Sequence, residues 1–291
     1  MADLKRRRAE NVPGRFFVDS TCIDCDTCRW MAPETYTAAG GMSAVHQQPE
    51  DPLAERRALH ALLACPTGSI GTVPTHPELR AARDDFPLPV HGPVFHCGFH
   101  ASSSFGAASY FLQREDGNVL IDSPRYVTSL AERIEALGGI RWLYLTHRDD
   151  VADHARWAER FGCERVLHRD DVTRATEEVE VQPEGPEPLR LADGLTVVPV
   201  PGHTKGHTVL HVDDTYLFTG DHLAWSDRRD DLVAFRGACW YDWEEQVRSM
   251  ERLLDCRFSW VLPGHGRRHG DDPDRMRASL ERCIAWMRTV A

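Results

Sequence analysis

Two sets of side chains in this sequence have the types and spacing for metal chemistry. Near the front, Cys22-Ile23-Asp24-Cys25-Asp26-Thr27-Cys28 forms a C-x2-C-x2-C loop, and Cys65-Pro66 follows at a distance. Three thiolates so spaced can wrap one corner of a cube, and a fourth from elsewhere completes it. Iron–sulfur clusters are held by four cysteine thiolates, and a cysteine followed by proline is a frequent part of the signature. Zinc is the alternative, but its sites usually pair two such knuckles, and a second C-x2-C-x2-C run is missing here. Later in the chain, four loop segments each follow a strand-like run and carry ligand types: His147-Arg148-Asp149-Asp150 leading to Asp153-His154, then Pro201-Gly202-His203-Thr204-Lys205-Gly206-His207, Thr219-Gly220-Asp221-His222 and Leu262-Pro263-Gly264-His265-Gly266. Imidazole and carboxylate suit first-row metals such as zinc, iron and manganese. One such histidine is ordinarily structural; four segments in a row, each at a strand-to-loop junction, are hard to explain as packing.

The elements that must position these groups are legible in outline. ASYFLQR and NVLIDS read as strands joined at Glu115-Asp116-Gly117, and SLAERIEALGG has helical spacing ending in glycine. IRWLYLT reads as an apolar strand, DHARWAERFG as a helix with aspartate at its cap, and LTVVPVPG, TVLHVDD and TYLFTGD as three strands in quick succession. WEEQVRSMERLLDC and DRMRASLERCIAWMRTV read as amphipathic helices around the short strand WVLPGH. Short strands with interspersed helices point to an α/β layered sandwich. Residues 72–93 hold five prolines and no clear periodicity, so 73–92 reads as a linker over a surface. Residues 1–13, with the basic cluster Lys5–Arg8, read as a flexible, solvated tail.

Composition narrows the partners. Lys plus Arg total 34 against 45 Asp plus Glu, a net charge of −11, which argues against a nucleic-acid surface. No apolar run approaches the roughly 18 residues of a membrane span, and the basic N-terminus lacks the apolar stretch of a secretory signal. The expected setting is therefore the cytoplasm, whose reducing state makes the nine cysteines ligands or free thiols rather than disulfides.

At Cys22, Cys25, Cys28 and Cys65, with MAPETY after the third and ACPTGSI around the fourth, residues 14–72 resemble a single-cluster [4Fe-4S] ferredoxin. The resemblance implies a small α+β domain and one-electron transfer. From residue 93 to 291, PGHTKGH, FTGDH and PGHG, with NVLIDS ending near Asp122, resemble the metallo-β-lactamase superfamily. That resemblance implies an αβ/βα sandwich, so that the whole chain is α+β, with a dinuclear metal site in which His203 and His265 are terminal ligands, one per metal. It makes Asp221 the bridging carboxylate and Asp122 a hydrogen-bonding support.

The first motif departs from the family's H-x-H-x-D-H. Here His147-x-Asp149 is followed by Asp153-His154, an aspartate in place of the second histidine and two residues inserted. The favoured alignment has His147, Asp149, Asp153 and His154 all binding through a bulged loop; the other leaves one of the acids outside the ligand set. The expected metal residues are thus His147, Asp149, Asp153, His154, His203, Asp221 and His265, with Asp153 and Asp221 closest to the chemistry. A carboxylate in the second position resembles the diiron members of the superfamily, such as flavodiiron proteins, and anionic oxygen donors favour iron or manganese over zinc.

Other residues take quieter readings. His207 is expected to order its loop, and His96 and His100 around Cys97 to cap a strand edge rather than line the cleft. His222 is equally placed to face the substrate or the opposite layer. Cys239 reads as a buried thiol, Trp240, Tyr241 and Trp243 as core, and Asp150 as an exposed loop acid.

Two functions compete. In the first, an oxidoreductase, the cluster feeds electrons to a dinuclear, iron-favouring site that handles dioxygen or another small oxidised substrate; the fusion motivates this, since a hydrolase needs no electron relay. In the second, two zinc ions polarise an ester, thioester, lactone or amide carbonyl for hydrolysis, and the cluster is structural or a sensor. The chain has no flavin motif and no glycine-rich dinucleotide fingerprint, so electrons are expected from an external ferredoxin reductase or other donor.

Overall fold

The computed structural model describes residues 2–290 and divides into two compact units, Met1–Gln113 with Pro124–Gly139, and Arg114–Ser123 with Ile140–Ala291. In the first unit Phe16–Val18 pairs antiparallel with Ile70–Thr72, so the two ends of the cysteine-bearing segment are tied together. The hairpin Tyr36–Ala39/Met42–Val45 turns at Gly40-Gly41, both with positive φ. The helix Pro52–Ala64 starts on Asp51, whose carboxylate accepts from the Leu53 and Ala54 N–H groups, and it carries Pro at its first turn. It ends at Cys65, which delivers the fourth cysteine directly from a helix terminus. Phe16, Val18, Tyr36, Val45, Ala58 and Leu59 form the small core behind the loop.

Two expectations for this unit are corrected. Residues 1–13 are not a loose tail: Arg8 is buried and donates to the Ser43 and Ala39 carbonyls, while the Asn11 carboxamide bonds both directions of Val18 and the Val45 N–H. A short sequence of arginines hides such anchoring, because the burying partners lie some thirty residues away. Residues 73–92 are not a bare linker: they form the helix Leu79–Asp84 and the strand Leu88–His91, with Ala82 and Phe86 fully buried. Asp85 clamps this stretch to the preceding helix through Arg56 (2.6 Å) and His60 (2.6 Å). Leu88–His91, Val94–His96 and Tyr110–Leu112 then pair antiparallel in sequence order.

In the second unit Val119–Ile121, Trp142–Tyr144 and Glu164–Val166 run parallel side by side. All of Val119–Ile121 and Trp142–Tyr144 is buried, as parallel strands covered on both faces require. A second sheet orders Leu189–Ala192, Leu195–Pro199, Thr208–Val212, Tyr216–Gly220, Trp260–Pro263 and His269–Gly270 in chain order. Its pairs are antiparallel except Tyr216–Gly220 with Trp260–Pro263. The helices Trp243–Arg252 and Pro273–Thr289 cover this sheet, packing Val247, Met250, Leu280, Ile284 and Met287 against Val198, Val209, Leu217 and Val261. The ends of Val119–Ile121, Trp142–Tyr144, Tyr216–Gly220 and Trp260–Pro263 deliver Asp122, His147, Asp221 and His265 to one place.

Candidate metal centres

In the second unit, Asp221 stands at the middle of the constellation. Its Oδ2 faces His203 Nε2 at 3.7 Å and His147 Nε2 at 3.8 Å, while its Oδ1 faces His265 Nδ1 at 2.7 Å. One carboxylate oxygen therefore faces the His147–His203 pair, and the other is hydrogen-bonded to His265. Asp149 Oδ2 completes the first group, 3.8 Å from His203 Nε2 and 3.9 Å from His147 Nε2. Asp150 forms another group with His147 and Asp221, their ligand atoms all within 4.8 Å of one another.

The donors fit metal ions. His147 Nε2, His203 Nε2 and Asp150 Oδ2 are buried without a hydrogen-bond partner, a state that costs about 1–3 kcal/mol per group unless a cation or other partner satisfies it. Two donors at ~2.1 Å from one tetrahedral ion stand ~3.4 Å apart, close to the spacings seen. Protonation agrees as well. Burial pushes the His147 imidazole down to about 4, against the pull of Asp221, so at neutral pH it is neutral and able to ligate. The close approach of His203, with His147 beside it, holds Asp149 below the usual carboxylate range against the effect of burial. Burial alone would raise Asp221, but His265, His147 and His203 outweigh it and keep the carboxylate ionised. Asp150 is pushed the other way by burial and by Asp221, Asp122 and Asp149, a crowd of acids that a cation would neutralise.

The supports are built from backbone and side chains together. Asp122, at φ 53°, accepts from the Thr146 N–H (2.8 Å) and from its hydroxyl (2.9 Å). The Thr146 hydroxyl has one proton and gives it to Asp122, so His147 Nδ1–H donates to Thr146 Oγ1 at 2.9 Å and Nε2 is left with its lone pair toward the site. Burial lifts Asp122 to about 7, with the Thr146 bonds acting against that. Gly220 has φ 48°, and a Cβ there would sit 2.5 Å from Thr146 Oγ1, so glycine permits the close approach of the two loops. His207 Nε2 accepts the Asp221 N–H at 3.3 Å, which orders the loop as the sequence led one to expect.

The structure brings together His147, Asp149, His203, Asp221 and His265. His154 stands apart from them, and Asp153 belongs to neither group of three whose ligand atoms lie within 4.8 Å of one another. Asp153 is the left-handed residue (φ 51°) that starts the helix His154–Phe161. His154 spends both ring nitrogens elsewhere: Nε2–H donates to the Ala175 carbonyl at 3.2 Å, and Nδ1 accepts from Arg165 at 3.3 Å. Asp150, expected as an exposed loop acid, is buried in their stead. Its carbonyl accepts the Ser123 N–H at 3.1 Å, which pins the bulge in a register that an Asp-Asp pair in one sequence does not announce. Trp240 and Tyr241 are 62% and 51% exposed rather than core; only Trp243 is buried. Their N–H groups donate to the His203 carbonyl at 2.9 and 3.1 Å and fix that loop. His222 is buried, and neither ring nitrogen has a hydrogen-bond partner, which the sequence did not foretell.

In the first unit, Cys22, Cys25, Cys28 and Cys65 line one cavity of about 310 Å³ with Val18, Pro66 and Ile70. Asp24 (φ 62°) and Asp26 (φ 67°) give the loop its winding. The Ser69 N–H points at Cys65 Sγ (3.3 Å) and the Ser43 N–H at Cys22 Sγ (3.5 Å). Such donors suit thiolates that share a cluster. All nine cysteines are free of disulfides.

Comparison with known proteins matches a family over residues 18–72 and a fold over most of the chain. Residues 18–72 match the family described as the 4Fe-4S single cluster domain of Ferredoxin I. The chain is 31% identical over 112 residues to the uncharacterized protein YmaE of Bacillus subtilis, covering 37% of this chain and 40% of that protein. It is 25% identical over 194 residues to the beta-lactamase-like protein 2 homolog of Drosophila melanogaster, covering 60% and 63%. Each alignment thus spans less than two thirds of the relative. Among solved structures, DIM-1 metallo-beta-lactamase superposes with a TM-score of 0.54 at 16% identity, covering 70% of this chain and 96% of that one. The metallo-beta-lactamase from Pontibacter korlensis gives 0.51 at 17%, covering 69% and 97%. The chain therefore joins a single-cluster 4Fe-4S domain to a domain of the metallo-β-lactamase fold.

Proposed function

We propose that this protein is a redox metalloenzyme in which a [4Fe-4S] cluster on Cys22, Cys25, Cys28 and Cys65 exchanges electrons with a dinuclear, iron-selecting centre. The observation that carries the reading is the donor set of that centre: three carboxylates, Asp149, Asp150 and Asp221, against three imidazoles, His147, His203 and His265. Anionic oxygen donors favour iron or manganese, whereas zinc is well served by neutral imidazole. When bound, such a pair of ions supplies one-electron redox chemistry and Lewis acidity. The chain's own part is to hold Asp149 and Asp221 ionised and to orient the donors. Asp122 and Thr146 fix the His147 tautomer, Asp221 separates the two groups, and Asp149, with 46% of its side chain exposed, stands at the mouth.

An open pocket lined by His168, Lys205, His207, Tyr241 and Arg252 shares with the centre the supporting His207 and is a candidate place for a small-molecule substrate. Electrons would come from an external ferredoxin reductase or comparable donor. No described helix is long and apolar enough to cross a membrane, and cysteines free of disulfides suit a reducing cytoplasm. The second reading, zinc-dependent hydrolysis of an ester, thioester or lactone, is favoured by the fold shared with DIM-1 metallo-beta-lactamase. Metal analysis of protein purified without oxygen separates the two: iron beyond that of the cluster is expected, and zinc filling the second unit would overturn the redox reading.

A further inference from the structure

The first unit contains a buried polar chain that ends on a cluster cysteine. His96 Nε2 and His100 Nε2 lie 2.8 Å apart, both rings fully buried and His96 set edge-on to Trp30 at 5.1 Å between centroids. His100 Nδ1 lies 2.7 Å from the Gly106 carbonyl and 3.2 Å from Thr27 Oγ1. Thr27 Oγ1 in turn lies 3.4 Å from Cys25 Sγ. The proton inventory runs one way. A carbonyl only accepts, so His100 Nδ1 carries a proton, and a neutral His100 then accepts at Nε2 from His96. Thr27 Oγ1 receives the flank of the same Nδ1–H and has two acceptors for its own proton at 3.4 Å, the Gly106 carbonyl and Cys25 Sγ; His100 Nδ1–H already occupies that carbonyl at the shorter 2.7 Å, which turns the hydroxyl toward sulfur. A cysteine ligated as thiolate has no proton of its own, so across the Thr27–Cys25 contact the hydroxyl is the donor.

The backbone around this chain is shaped for it. The His100 N–H donates to the Ala64 carbonyl at 3.2 Å, next to Cys65, and the Arg125 N–H holds the Phe99 carbonyl at 2.9 Å. Gly106 has φ 87°, and a Cβ there would meet Cys25 Cβ at 2.9 Å and Sγ at 3.0 Å. Gly106 therefore packs directly against Cys25. A thiolate that accepts hydrogen bonds holds less electron density for the iron it ligates, and hydrogen bonds to the sulfurs are a recognised control of cluster potential. We propose that His96 and His100 are positioning residues that aim the Thr27 hydroxyl at Cys25 and so raise the reduction potential of the cluster.

The proposal rests on the cluster reading, and the test separates the two. The full-length protein, purified without oxygen, is titrated potentiometrically with the reduced cluster followed by electron paramagnetic resonance. Absence of both a cluster signal and inorganic sulfide in the unmodified protein would overturn the cluster reading itself. With the cluster present, Thr27→Val should shift the midpoint to a more negative potential, and Thr27→Ser should restore it. His100→Phe, which keeps a buried ring but loses both nitrogens, should shift it in the same direction. The double variant should shift no further than Thr27→Val alone, because the histidine acts through the hydroxyl. Unchanged midpoints in Thr27→Val and His100→Phe at full sulfide content, or additive shifts in the double variant, overturn the proposal. If Thr27→Val loses the cluster, the decision passes to His100→Phe against His100→Gln, whose amide keeps a donor. A midpoint nearer the parent in the glutamine variant supports the proposal, and equal midpoints overturn it.

Discussion

The cysteine loop and the histidine–aspartate pocket use opposite strategies to gather four or more ligands. The loop draws three donors from seven consecutive residues and a fourth from the end of one helix, so its geometry is local. The pocket collects donors from four separate strand ends, and each donor depends on the register of its own sheet and turn. Softness divides them too: thiolates for a cluster, and imidazole with carboxylate for harder ions. A local site is tolerant of change elsewhere but fails at once when a ligand is lost. A collected site can lose one donor and keep a partial set, while its selectivity rests on positions such as Asp149 and Asp150.

The sharpest break between the regions is expected at Cys65→Ser. It should abolish the cluster, about four sulfides per chain, and destabilise the first unit, whose small core leans on its metal. The metals of the second unit should stay. Sulfide and metal analysis with visible absorption check this; retained sulfide would mean that Cys65 is not a ligand. The complementary change, Asp221→Asn, removes the negative charge shared by the two donor groups. At least one metal of the second unit should be lost with the cluster intact, and full dinuclear occupancy would remove Asp221 from the bridging place.

Asp150 and Asp153 sharpen the comparison inside the pocket. Asp150→Asn should lower occupancy of the group that Asp150 forms with His147 and Asp221, while Asp153→Asn should leave metal content unchanged and touch only the start of the helix it precedes. Equal losses from both variants would return Asp153 to the ligand set. Asp122→Asn, which acts through Thr146 on the His147 tautomer, should weaken metal binding by about 10–100-fold.

What could be read from the sequence follows the same division. Cys22, Cys25 and Cys28 stand out by their spacing and Cys65 by the proline after it, and all four line one cavity; His203, Asp221 and His265 were expected from a resemblance carried by the glycine-bearing turns around them. The choice between Asp150 and Asp153 was not legible. It depends on a bulge pinned by the Ser123 N–H from a neighbouring strand end, a long-range bond that no local pattern encodes. The helix Leu79–Asp84 was hidden by prolines on both sides, and its burial of Phe86 comes from packing rather than periodicity. Arg8 looked solvated because arginine usually is; here its guanidinium meets two carbonyls of the hairpin.

On the proposed redox reading, Asp149 is the residue that sets metal preference. It replaces the histidine that most members of the superfamily are expected to carry, and it faces His147 and His203 at 3.9 and 3.8 Å. A carboxylate raises the negative charge on one ion and stabilises the ferric state, whereas imidazole suits zinc. Asp149→His should therefore shift the second unit toward zinc when both metals are supplied, with cluster iron subtracted. The same variant should lose any cluster-dependent redox activity. An unchanged metal ratio would take away the support that this residue gives the redox reading.

The smallest effect is expected where the sequence placed a ligand and the fold placed a structural histidine. Glu180 accepts from Arg165 through both oxygens, at 2.7 Å to Oε1 and at 2.8 and 3.0 Å to Oε2, and Arg165 also donates to His154 Nδ1. Burial by itself would raise the Glu180 carboxyl, but the Arg165 side-chain and backbone bonds outweigh it and bring the group down to about 2, from an ordinary 4.5. A lowered carboxyl contributes stability that is fully present above the unfolded value and is lost as pH falls through the folded one. So Glu180→Gln should reduce the thermal midpoint at pH 6, and the gap to the parent should close between about pH 4.5 and 2. The side chain is 42% exposed, so solvent screening keeps the effect small. Metal content should not move, because His154 is tied to Ala175 and Arg165 and not to the centre. A loss of metal in Glu180→Gln would show that His154 reaches the ions after all, and the two donor groups would then need redrawing around it.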